Sequence, residues 1–213
     1  SLATKGRPSF ASTAHASMAQ HYHHSLVSIS LIVAILASYT ALTLALRIRQ
    51  ARGMEALAWL LGGGFAMGLG IWAMHFVGML ALQLPIPITY DLSTTLFSLL
   101  IAVIVSTFAL RIASYESVNR ARLFTAGIAM GAGICSMHYV GMAAIRIAPA
   151  IRYDPYWVAA SLVIAIAASV AALWVAFTSR ENLRWWRYHT VFGAIGMGFA
   201  IAGMHYAGMV AAR

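Results

Sequence analysis

Three histidines carry the chemistry this sequence offers. His75, His138 and His205 each stand in the same phrase: MHFVGM (74–79), MHYVGM (137–142) and MHYAGM (204–209). Residues four apart on a helix share a face, which sets His75 beside Met79, His138 beside Met142 and His205 beside Met209. An imidazole next to a thioether in an apolar setting suits a soft metal, Cu(I) above all. Met74, Met137 and Met204 point about 100° away from the histidines and complete a candidate ligand set of nine residues. Met67, Met130 and Met197 lie seven residues earlier, on that second face. Polar groups within a bilayer are costly and concentrate at functional sites, so three histidines in one repeated phrase favour ligation. Methionine is also an ordinary filler of apolar helices. Nine candidates exceed what one copper takes, so either there are several sites or some members only pack.

The elements that position these residues follow from composition. Of 213 residues, 62% are hydrophobic and 9% charged, against about 25% charged in a soluble domain. So much apolar side chain could not be hidden in a soluble core of this size. Six apolar stretches, about 25–46, 56–82, 92–113, 123–145, 156–178 and 189–211, are long enough to cross a bilayer as helices. The expected fold is all-α, a polytopic membrane bundle of six spans.

The net charge of +9 reports topology rather than nucleic acid. Arg47, Arg49 and Arg52, then Arg111, Arg120 and Arg122, then Arg180, Arg184 and Arg187 fill the first, third and fifth connections. That is the positive-inside pattern of cytoplasmic loops. It places the second and fourth connections, QLPIPITYD (83–91) and IAPAIRYDP (147–155), outside. The motifs then lie toward the outer face of a bacterial inner membrane, some seven to nine residues, or about 10–14 Å, from the helix ends. Residues 1–21 read as a polar external segment; the chain's start at Ser1 and its end on a helix edge read as an excised fragment. The single cysteine, Cys135, allows no internal disulfide.

The chain is a threefold repeat. AMGLGIWAMHFVGM (66–79), AMGAGICSMHYVGM (129–142) and GMGFAIAGMHYAGM (196–209) align without gaps, and each repeat begins at Tyr22-His23, Tyr90-Asp91 or Tyr153-Asp154. Each unit is a helical hairpin, about 22–82, 90–146 and 153–212. Gly64/Gly68, Gly127/Gly131 and Ala194/Gly198 are small pairs that permit close helix approach, expected to bring the motif helices together at the centre. Gly78, Gly141 and Gly208 either pack closely or keep the rim open to a ligand. Asp91 and Asp154 stand at helix starts, where capping is the default. A role orienting the motif imidazoles is the alternative for both, and for His23. Cys135 aligns with Trp72 and Ala202, so the repeat does not require sulfur there.

These residues resemble the MHYT domain, a family of bacterial integral membrane sensor modules. The likeness covers about residues 22–212, with Phe76 departing at the third motif letter and Val77, Val140 and Ala207 replacing its threonine. The resemblance implies seven spans, the seventh being absent from this chain. It implies a copper site near the outer face that senses oxygen, carbon monoxide or nitric oxide, and a cytoplasmic output domain outside this sequence. Other classes remain open: haem held by two of the histidines, a copper or small-solute carrier, or a dimerising anchor whose motif merely packs. No nucleophile–base pair, carboxylate pair or phosphate loop is present, so the chain is not expected to be an enzyme. The expected partners are lipid, a gas or metal, the output domain and a second copy in a homodimer.

Overall fold

The computed structural model describes residues 21–83, 88–115, 118–147, 151–178 and 186–212. The polar segment 1–20, the loop cores 84–87 and 148–150, and residues 179–185 with Arg180 and Arg184 lie outside them.

Six helices cross the structure: α1 (His24–Gln50), α2 (Gly53–Leu80), α3 (Leu92–Ala113), α4 (Arg120–Ala143), α5 (Pro155–Thr178) and α6 (Trp186–Ala211). All six are long and apolar enough to span a bilayer, so the chain is a multi-pass membrane protein. The turn from α1 to α2 is made by Gly53 at φ +58°, a left-handed conformation that glycine adopts without steric cost.

Each helix packs on its neighbours in sequence, and α6 closes on α1, so the six form a ring about a pseudo-threefold axis. The outer surface carries large apolar side chains such as Ile32, Leu36, Phe65, Ile104 and Phe192. The interior holds what lipid would reject: Ser30, Ser38, Ser98, Ser106, Ser161, Ser169 and the three motif histidines. This inside-out distribution is what a bilayer solvent selects.

The glycine pairs work differently from the sequence expectation. A Cβ on Gly68 would collide with the backbone of Ala102 and Val103 in α3. One on Gly131 would meet Ile166 in α5, and one on Gly198 would meet Ile35 in α1. The small residues therefore seat each even helix on the odd helix of the next repeat. The backbones of α2, α4 and α6 approach one another far less than they approach these partners. The motif helices meet through side chains, which leaves room on the axis for imidazoles.

At one end each repeat is closed by a miniature ladder. β1 (His21–Tyr22) pairs antiparallel with β2 (Leu82–Gln83), and β3 (Thr89–Tyr90) with β4 (Ile145–Arg146). Tyr153 bridges to Ala212 in the third repeat. The amides of His23, Asp91 and Asp154 each donate at 2.8 Å to the carbonyls of Ala81, Ala144 and Ala211. These ladders end α2 and α4 two residues sooner than the apolar pattern suggests. The histidines accordingly sit five or six residues, about 8–9 Å, from their helix ends. Arg47, Arg49, Arg52, Arg111, Arg120 and Arg122 all lie at the opposite, arginine end.

Candidate metal centre

His75, His138 and His205 come together on the axis, with side chains no more than 1% exposed. Their Nδ1 atoms form a nearly equilateral triangle: His75 to His205 is 3.1 Å, His75 to His138 is 3.1 Å and His138 to His205 is 3.3 Å. The rings meet edge to face, with centroids 4.8–5.2 Å apart.

Such a triangle cannot satisfy itself. A ring nitrogen that carries a proton has no in-plane lone pair left to accept with, so three nitrogens around one point share at most one good hydrogen bond. The Nε2 atoms offer no relief to the triangle, because all three are buried and turned toward the facing glycines, where the backbones of Gly208 and Gly78 are hydrogen-bond partners of His138 and His205. A cation on the axis would take all three Nδ1 lone pairs and leave each proton on Nε2. The triangle's centre lies about 1.8 Å from each nitrogen, close to the bond length of about 2.0 Å that an imidazole nitrogen makes to such an ion. The three residues are the one group of His, Cys, Asp or Glu among the described residues placed to hold a metal ion.

The motif glycines hold the rings in place. A Cβ on Gly78 would collide with the His205 ring, one on Gly141 with His75 and one on Gly208 with His138. Each histidine is thus pressed against the glycine of another repeat, and the contact runs cyclically around the axis. Of the two roles open to these glycines, close packing is the one the structure shows.

The methionines separate into distinct sets. Met79, Met142 and Met209 form one buried cluster, shared with Phe76 and Tyr90, that covers the ring on the ladder side. Met74, Met137 and Met204 disperse into three different clusters and do not converge. Met67, Met130 and Met197 line common interior space two turns toward the arginine end.

Asp91, Asp154 and His23 are at the helix starts, away from the imidazoles. Asp91 accepts from the amide and hydroxyl of Thr94 and pairs with Arg146 at 2.6 Å. Those two Thr94 donors and the guanidinium hold its carboxyl well below the usual carboxylate range. Asp154 accepts from the Tyr156 amide. The His23 side chain is exposed, with its Nδ1 2.6 Å from the Ser25 hydroxyl.

A second cyclic layer surrounds the histidines. Tyr22, Tyr90 and Tyr153 pack edge-on against Tyr206, Phe76 and Tyr139, each in the preceding repeat. Eight residues after each of these tyrosines stands a buried serine. Ser30 meets the Tyr206 hydroxyl and Ser161 the Tyr139 hydroxyl, both at 2.9 Å. Ser98 faces Phe76, which has no hydroxyl, and Trp72 Nε1 donates to it instead at 3.1 Å. The indole stands in for the missing phenol. Both departures, Phe76 and Trp72, are visible in the sequence, but their alignment alone does not link them. The fixed tyrosine-to-serine spacing is the signal that could have done so.

A family model described as a bacterial signalling protein N terminal repeat, MHYT, matches residues 68–126 and 131–188. The chain is 55% identical over 192 residues to the bifunctional diguanylate cyclase/cyclic di-GMP phosphodiesterase MucR of Pseudomonas aeruginosa, covering 90% of this chain and 28% of that protein. The signaling protein YkoW of Bacillus subtilis is 36% identical, over 90% of this chain and 24% of its own length. The cyclic di-GMP phosphodiesterase NbdA of P. aeruginosa is 39% identical, over 89% and 24%. The chain thus spans about a quarter of the length of these relatives. No solved structure matches it.

Proposed function

This chain belongs to the MHYT family of bacterial signalling proteins, and from that premise we propose that it is a membrane sensor module that holds one copper ion through Nδ1 of His75, His138 and His205. The observation that carries this reading is the imidazole triangle, whose spacing fits a three-coordinate ion and whose lone pairs cannot satisfy one another. Copper binds neutral nitrogen ligands more tightly than the other divalent first-row metals. The soft lid of Met79, Met142 and Met209 favours the Cu(I) state. When bound, the ion would supply a redox couple and a binding partner for a small ligand such as oxygen, carbon monoxide or nitric oxide. The chain's own residues orient the rings and exclude water.

Haem does not fit this arrangement. Two axial histidines must approach iron from opposite faces of a flat macrocycle, and here the rings touch with no slot between them. The arginine-rich end is assigned to the cytoplasm by the positive-inside rule, and the histidine ring to the outer half of the membrane. The names of MucR and NbdA point to the making or degrading of cyclic di-GMP as the output, and we assign that catalysis to a further domain on the arginine-rich side.

X-ray absorption on Cu(I)-loaded protein tests the ligand set. Three nitrogen neighbours at about 2.0 Å, with no more than one sulfur, are expected. A sulfur-only shell, or less than a tenth of an equivalent of bound copper, would overturn the reading.

A further inference from the structure

One turn from the histidines toward the arginine end, Ile71, Ile134 and Ile201 make an apolar layer; one turn further lie Met67, Met130 and Met197. Between these layers is a cavity of about 30 Å³, roughly twice the space that one water needs. Ser169 is the only hydroxyl-bearing side chain among its described lining residues, and its Oγ is buried without a partner. A water here would need two to four polar partners, and one hydroxyl does not retain it. The cavity is therefore dry, and its size suits a molecule of two heavy atoms.

Only a shared wall separates the cavity from the lipid side. Ala168, Met197 and Ala200 line both it and a cleft of about 680 Å³ between α5 and α6. The repeat explains why the cleft lies there. Ala200 aligns with Gly70 and Gly133, and Ala168 with Ala37 and Val105. In the first two hairpins the glycine lies so close to its partner, Ala37 or Val105, that a Cβ would collide. In the third hairpin both positions are alanine, and Gly196 and Gly203 have nothing within 4 Å of their Cβ positions. The cleft faces the hydrocarbon through Phe192 and Gly196, both exposed on the helix surface.

We propose that this cavity is a gas chamber: it takes up an apolar diatomic molecule sideways from the lipid, through the α5–α6 cleft, and holds it between one and two helical turns beneath the imidazole ring. Apolar gases concentrate in hydrocarbon because opening a cavity for them in water is costly, so a route through the bilayer delivers more ligand than one from the aqueous face. Met197, whose flexible side chain adapts to irregular space, forms the wall between cleft and chamber. The idea deepens the sensor reading and rests on it for its purpose, but not for its test.

The test uses metal-free protein in lipid nanodiscs, labelled at the methionine methyl carbons and placed under oxygen pressure. Dissolved oxygen is paramagnetic and broadens the signals of methyl groups it touches. Met67 and Met130 should broaden at least threefold more than Met79, Met142 and Met209, which are also buried. Ala168→Phe, which plugs the shared wall, should at least halve the effect at Met67 and Met130. Should that variant fail to fold, xenon applied to the unaltered protein gives a second reading, because it should shift the same two methyl signals first. Equal broadening at all buried methionines, or an unchanged effect in the folded plugged variant, overturns the chamber. Because no copper is present, failure here leaves the metal reading standing, and failure to bind copper leaves this result unaffected.

Discussion

The histidine layer and the isoleucine–methionine layers below it are made by the same three helices at the same threefold spacing, yet they are built on opposite principles. The upper layer is tight. Each ring is wedged against a glycine of another repeat, and three nitrogens meet within 3.3 Å. The lower layers are loose, with a dry cavity, two orphaned serine hydroxyls (Ser106 and Ser169) and flexible thioethers. Threefold sequence repetition alone does not make a site. What distinguishes the layers is whether a missing side chain, at Gly78, Gly141 and Gly208, lets polar groups converge.

The sharpest way to break this contrast is to fill the glycines. Gly141→Ala should displace the His75 ring, destabilise the bundle by about 1–3 kcal/mol as overpacking does, and lower copper occupancy several-fold. Gly196→Ala, at a position with open space, should stay within about 0.5 kcal/mol. Detergent or thermal unfolding of the two variants side by side checks the difference. Equal effects would mean that the motif glycines are not ring seats.

A smaller effect sharpens the comparison between repeats. Trp72→Phe removes the donor that Ser98 uses in place of a tyrosine and should cost about 1 kcal/mol. Adding Phe76→Tyr should recover much of that loss by restoring the hydroxyl found in the other two repeats. The double variant should therefore be less damaged than the sum of its parts, as read by the same unfolding assay. Strict additivity would show that the indole acts through packing alone.

The smallest expected effect lies at the ladder end, outside the membrane core. The Asp91 carboxyl has a depressed pKa, so its contribution is complete above the ordinary carboxylate range near pH 4. It fades only as the pH falls through the lower folded value. Stability measured from pH 8 to pH 5 should show no change that Asp91→Asn removes. A dependence on Asp91 near neutral pH would contradict the cap and the Arg146 pair.

Much of this architecture was legible in the residues. Length and hydropathy located six helices, the arginines marked one common end, and the phrase repeated at His75, His138 and His205 pointed to a shared centre. Single-letter spacing could not say which atoms converge. A helical wheel sets Met79 beside His75 and turns Met74 about 100° away, but it does not show that the first set gathers into one cluster over the ring while the second disperses among neighbouring helices. The destination of the small pairs is hidden from the sequence for a related reason. Gly68 permits close approach, but periodicity does not state to which helix, and the partner proved to be α3 of the next repeat rather than another motif helix. The ladder ends were hidden because apolar residues such as Leu82 and Ile145 continue the hydrophobic run past the point where strand pairing replaces helix.

The central claim is that three repeats build one site. Copper stoichiometry of the unaltered protein and of His75→Ala, His138→Ala and His205→Ala, each loaded with Cu(I) under identical conditions, tests it most directly. The account predicts about one copper per chain in the unaltered protein, set by the single triangle, and near-complete loss in every single variant, with no change for His189→Ala, an exposed residue in the first turn of α6. Three coppers per chain, falling by a third with each histidine, would contradict it.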